Sequence, residues 1–146
     1  MKVQRIAWVG VRTERAEAMV AFLRDTLGLA FEWSGEGQSV FSLPDGAKAE
    51  VFSSDSPDNA HFGGAPVVGF YVDDVLEASE ELLAAGVEIV HGPVFDDESD
   101  AAWVHFRAPD GNLYELTQGS DLLADDSARD DFELEDVELD DSEREG

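Results

Sequence analysis

Apolar positions along this chain follow two periods, and the periods succeed one another in the same order twice. Residues 3–11, Val-Gln-Arg-Ile-Ala-Trp-Val-Gly-Val, read as a strand. Residues 14–27 take the helical period, with Ala16, Met19, Val20, Leu23 and Leu27 on one face, Thr13 able to cap the start and Gly28 the end. Strands are predicted at 29–33, 40–43 and 47–52, separated by turns at Ser34-Gly-Glu-Gly37 and Pro44-Asp-Gly46. Residues 53–65, rich in Ser, Asp, Pro, Asn and Gly, read as a linker. A strand at 66–72 then opens a second round. Its helix spans 75–85, with Val75, Leu82 and Leu83 inward, Asp74 and Glu77 as a capping box and Gly86 as C-cap. Strands at 87–90, 101–108 and 113–117 close it, with an acidic loop at 96–100.

The order is β-α-β-β-β twice, and individual residues repeat with it. Pro44-Asp45-Gly46 lies 65 positions before Pro109-Asp110-Gly111, and Glu50 lies 65 before Glu115. Each glutamate falls mid-strand, four residues beyond its turn glycine. A charged side chain inside an apolar strand needs water, a partner or a metal. Two in equivalent places suggest one cavity shared by pseudo-symmetric halves.

Composition narrows the chemistry. The 146 residues include 34 Asp and Glu against 9 Lys and Arg, a net charge of −25. Nucleic acid is disfavoured as a partner, because phosphate contacts need clustered Lys and Arg. An anionic membrane surface is disfavoured for the same reason. There is no cysteine, so disulfides, thiolate catalysis and Cys-metal sites are excluded. Neither a signal peptide nor a membrane-length apolar stretch is visible, and the expected location is cytoplasmic.

The charge is uneven. Residues 1–118 carry −14, and residues 119–146 carry −11 on a fifth of the length. The expected organisation is a folded domain over 1–118 and a disordered acidic tail over 119–146. Self-repulsion on such a surface is relieved by salt, which suggests a halophilic host. An ordinary acidic protein with an acidic tail is the alternative.

Taken in order, Trp8-Val-Gly-Val, Phe22-Leu-Arg-Asp-Thr-Leu-Gly-Leu29, Val72-Asp-Asp74, Ala85-Gly-Val-Glu-Ile89 and Phe106-Arg-Ala-Pro-Asp-Gly-Asn-Leu-Tyr-Glu-Leu116 carry a resemblance. Over residues 3–118 the chain resembles the vicinal oxygen chelate superfamily: glyoxalase I, fosfomycin-resistance and bleomycin-resistance proteins, and extradiol dioxygenases. The resemblance implies an α+β fold of two βαβββ modules whose sheets curl into a cup, with the helices outside. It also implies a homodimer and a ligand or metal inside the cup. Metal-dependent members use four ligand positions, which match Trp8, Glu50, Val67 and Glu115 here. Trp and Val offer no lone pair to a cation, so no metal cofactor is expected. The alternative is a divalent metal held by Glu50, Glu115 and a third side chain, with His105 the best candidate.

Strand alternation puts Trp103, His105 and Arg107 on one face and apolar Val104, Phe106 and Ala108 on the other. The second set should pack under the helices, which turns His105 into the cup toward Glu115. The candidate ligand-binding residues are therefore Trp8, Glu50, Val67, Trp103, His105 and Glu115, with Glu115 and His105 the candidate catalytic pair. Competing readings are a solvated or salt-bridged edge-strand role for Glu50, a plain His105–Glu115 hydrogen bond, and core filling by the tryptophans. Gly10 and Gly69 would leave room for the ligand. His61 and His91 read as isolated. The expected function is binding of a small, partly aromatic or apolar molecule. The alternatives are a metal-dependent lyase, isomerase or dioxygenase using Glu50, Glu115 and His105, and a non-catalytic sequestering or interaction protein.

Overall fold

A computed structural model describes residues 1–119; the acidic segment from residue 120 onward, including nearly all of the predicted tail, lies outside the described residues. Eight strands form one curled sheet: β1 (Val3–Thr13), β2 (Ala30–Gly35), β3 (Gln38–Ser42), β4 (Lys48–Ser53), β5 (Val67–Val72), β6 (Glu88–Phe95), β7 (Ala102–Arg107) and β8 (Leu113–Gln118). Their order across the sheet is β2-β3-β4-β1-β5-β8-β7-β6. Within each module the first and last strands pair in parallel, and β1 joins β5 antiparallel to merge the halves. The two βαβββ modules expected from the repeat are thus present.

The first helix is shorter than its pattern. Helix α1 (Ala16–Ala21) continues into a π-helical turn, Phe22–Thr26, in which the Leu27 N–H donates to the Phe22 carbonyl. The wider turn rotates Leu27 off the buried face, and it stands 56% exposed. Arg15, not Thr13, occupies the N-cap; the Thr13 hydroxyl accepts from the Arg15 N–H instead. Helix α2 (Val75–Ala84) starts as expected, with the Asp74 carboxylate accepting the Glu77 N–H at 3.0 Å. It buries Val75, Ala78, Ser79 and Leu82. Leu83 points to solvent, because one residue turns a helix by about 100° away from Leu82.

Each helix covers the outer face of its own module. Leu23, Phe41, Ala49 and Val51 pack under the first helix with Met19 and Val20. Val75, Ala78 and Leu82 pack on Val72, Val104 and Leu116, with Phe106 beside them. The period-2 alternation therefore sends the other set of residues on β1, β4, β5, β7 and β8 to the concave face. A third cluster, Trp8, Phe52, Phe62, Val67 and Leu113, lies there.

Candidate functional site

A row of residues in register crosses six strands of the concave face: Lys48, Trp8, Gly69, Glu115, His105 and His91. The next row runs Val40, Glu50, Gly10, Val67. Each repeated glutamate thus lies beside a glycine of its module's first strand.

The two glycines are used differently. A Cβ at Gly10 would fall 2.3 Å from Cζ3 of Trp8, so the indole fills the space over that backbone. A Cβ at Gly69 would fall 3.1 Å from Oε2 of Glu115. The expectation that Gly10 and Gly69 leave space for a ligand is therefore corrected: Trp8 and Glu115 themselves occupy it.

Glu115 is 3% exposed and His105 1%. Oε1 of Glu115 lies 2.7 Å from Nε2 of His105. Burial pushes the Glu115 carboxyl well above its usual range, against the opposing effect of a hydrogen bond from the Trp8 indole N–H. Burial likewise pulls His105 down to about 4. Desolvation thus favours a neutral pair, in which the carboxyl O–H donates to Nε2 and His105 carries its proton on Nδ1. That Nδ1 lies 2.6 Å from Nε2 of His61.

His61 arrives from the segment between the modules, which straps across the cup. Arg12 holds the strap by donating from Nη1 to the carbonyls of Ser56 (3.1 Å) and Asp58 (2.9 Å), and from Nη2 to that of Ser54. Phe62 follows His61 inward and is 6% exposed. Its ring centre lies 6.3 Å from Trp8, 6.0 Å from Phe52 and 5.1 Å from His105. His91 stacks on His61 at 4.5 Å. Burial, then His105, His91 and Arg12, lowers the His61 pKa to about 4. The reading of His61 and His91 as isolated is corrected, because three histidines meet above Glu115. His91 was missed because β6 runs to Phe95 rather than stopping at Val90, which sets His91 opposite His105. His61 carried no such signal, since no period governs a linker.

Glu50 is half-buried on β4, which lies between β3 and β1, so the edge-strand reading does not hold. Gln38 Nε2 donates to its Oε1 at 2.9 Å. Burial above all, with repulsion from Glu115 whenever that carboxyl ionises, pushes Glu50 up to about 7, against the Gln38 hydrogen bond and the Lys48 charge. Lys48 donates to Glu32 at 2.7 Å. Val67 is buried against the Trp8 cluster. Trp103 is half-buried one row from His105, opposite Thr117 on β8. In this conformation the centre of the cup is packed by Trp8 and Phe62, which corrects the expectation of an open pocket with Trp8 on its wall. A separate cavity of about 490 Å³ lies at the first helix, lined by Glu17, Arg24, Ser34, Ser39 and Ser53 among others.

The donor set does not fit a divalent metal. Trp8 and Val67 have no lone pair to give, and the Trp8 indole lies over Gly10, beside Glu50 in the next row. Glu50 turns an oxygen to Gln38, and Glu115 turns one to His105. Among the described residues, no group of three or more His, Asp or Glu is placed to hold a metal ion.

The model of the Glyoxalase/Bleomycin resistance protein/Dioxygenase superfamily matches residues 5–116. The chain belongs to that superfamily. Among solved structures it is similar to methylmalonyl-CoA epimerase from Mycobacterium tuberculosis, at 18% identity and TM-score 0.61, covering 84% of this chain and 93% of that one. It is similar to the Mn(II)-bound glyoxalase from Novosphingobium aromaticivorans, at 20% identity and TM-score 0.62, over 80% of this chain and 39% of that one. A superfamily member from Vibrio splendidus matches at 15% identity and TM-score 0.59, over 80% and 99% of the two chains. At these identities the likeness is one of fold. No curated protein matches the sequence.

Proposed function

We propose that this chain binds a small, partly aromatic molecule on the concave face, oriented by Glu115 and His105. One observation carries the reading: a carboxyl–imidazole pair, both partners almost wholly buried, sits 2.7 Å apart in an otherwise aromatic and aliphatic centre. Apolar residues would fill that volume without desolvating two polar groups, so the pair answers a need other than packing. Few convergent polar groups on an apolar wall are the usual make-up of a small-molecule site. The carboxyl O–H is held by the imidazole, and the Nδ1–H on the far side of that ring can donate to a ligand oxygen.

Turnover by acid–base chemistry is a second reading. Its support is the unbroken line from Glu115 through His105 to the half-buried His61, a path along which a proton can leave the buried carboxyl. No metal enters either reading. A cytoplasmic homodimer in a salt-rich cell belongs with this picture, with Ile6 (55% exposed) and Val9 (39%) on β1 as apolar surface that a second copy would cover.

A ligand-observed NMR screen of small phenols and aryl carbonyls tests the proposal. Glu115→Leu removes both carboxyl oxygens at similar volume and leaves the His105 tautomer unfixed, and hits should weaken about tenfold in a chain that still folds. A screen without hits, or hits indifferent to Glu115→Leu, would overturn it. Solvent deuterium entering a hit beside its carbonyl would mark turnover. Elemental analysis of protein purified without chelator should find no stoichiometric zinc, manganese or iron.

A further inference from the structure

We infer that Phe62 is a built-in plug: the strap between the modules holds an aromatic ring where the ligand's own ring is to sit, and Arg12 is the latch that keeps it there. The inference rests on the concave face being the binding site, and it names both the ligand class and the gate.

Phe62 is the one member of the concave apolar cluster that does not come from the sheet. Trp8, Phe52, Val67 and Leu113 have their backbones fixed by strand pairing, which does not involve Phe62. The strap has no such tie. The backbone hydrogen bonds of Ser56 to Ser53 and of Phe62 to Asn59 are local turns. Its connection to the sheet runs through the Arg12 guanidinium, which donates to three strap carbonyls, through Ser56 buried beside the Gly37 turn, and through His61 and Phe62. Gly63 and Gly64 follow directly, exposed and with open space around both α-carbons. Losing the Arg12 contacts removes three of the strap's hydrogen bonds at once and raises the fraction of time in which Phe62 and His61 swing out together, without disturbing a strand.

What Phe62 leaves behind defines the occupant. The vacated space has the shape of one flat ring, walled by aromatic and aliphatic side chains. His105, whose ring centre lies 5.1 Å from that of Phe62, closes one side. Departure of His61 uncovers Nδ1 of His105, leaving a hydrogen-bond donor at that wall. The matching ligand is an uncharged, flat aromatic bearing one hydrogen-bonding oxygen. A charged ring would have to shed its water in a site whose own carboxyl groups are starved of it.

The test uses the full chain and 4-methylphenol, a ring of the same size as the Phe62 side chain plus one hydroxyl. Binding is read from the NMR shifts of the Val67 and Leu113 methyl groups, and strap position from hydrogen exchange at residues 54–66. The wild type should bind, with faster exchange at the Phe62 amide in the bound state. Arg12→Gln, by raising the open fraction, should lower the apparent Kd at least fivefold. Phe62→Ala, which deletes the competitor, should lower it at least tenfold; Phe62→Leu replaces it should the alanine variant not fold. Wild-type binding with an unchanged strap and an indifferent Arg12→Gln would overturn the plug and leave the concave site standing. Binding by Phe62→Ala alone would make Phe62 a permanent core residue and overturn the plug as well. If neither the wild type nor the variants bind, the plug and the proposed function fall together.

Discussion

Glu50 and Glu115 occupy the same place in the two modules and have different fates. Each is flanked by a glycine of the module's first strand: Gly10 opposite Glu50, Gly69 opposite Glu115. Each faces a residue of the module's third strand: Val40 opposite Glu50, His105 opposite Glu115. In the second module the glycine's space goes to the glutamate's own oxygen, and the facing residue is a base. In the first, the glycine's space goes to Trp8, and the facing residue is apolar, so Glu50 turns to Gln38. Backbone symmetry gives both carboxyls a strand, but the cross-strand neighbour decides which of them becomes the centre of a site. Each carboxyl is thereby committed to a different partner, Gln38 in one half and His105 in the other.

The largest effect should follow from breaking the better-partnered side. His105→Ala leaves a cavity and strips the buried Glu115 carboxyl of its imidazole partner, and should lower stability by about 3 kcal/mol in urea denaturation. Val40→Ala, the sister change, removes only apolar contact and should lose roughly half of that. Equal losses would mean that the Glu115–His105 pair contributes nothing beyond packing.

Acid–base behaviour sharpens the same contrast on the Glu50 side. Glu50 is pushed up to about 7 from 4.5, so the folded state holds its proton after the unfolded chain has released it. A raised carboxyl disfavours the folded state increasingly as pH climbs from about 4.5 to 7, and not at all below that window. Glu50→Gln should be neutral at pH 4 and stabilising by up to about 3 kcal/mol at pH 8, measured as paired denaturation curves. A gain independent of pH would show that Glu50 titrates normally.

Salt should give the smallest effect and separate exposed carboxylates from the buried pair. Screening lengths fall from ~10 Å at 0.1 M to ~3 Å at 1 M, which relieves repulsion across the exposed acidic surface. The melting temperature should climb by several degrees between 0.1 M and 2 M KCl, by the same amount in wild type and in His105→Ala. A flat curve would remove the case for a halophilic host. A slope lost in the variant would place the salt response in the buried pair.

Much of this molecule was legible in the residues. The 65-position repeat and the two alternation periods determined the modules, the helix-covered faces and the inward direction of His105, because strand geometry ties a side chain's face to its parity. The facing of Glu115 and His105 followed from the same rule. What only the tertiary structure decided concerns segments and volumes that no period describes. The linker's course across the cup brought His61 and Phe62 inward, through an Arg12 contact spanning more than 40 residues. The Trp8 indole took the space over Gly10, and the longer β6 delivered His91. Parity tells which way a side chain points. Only the assembled sheet shows what already stands in its path, because occupancy of a concave face depends on every strand that borders it and on whatever loop is long enough to reach across.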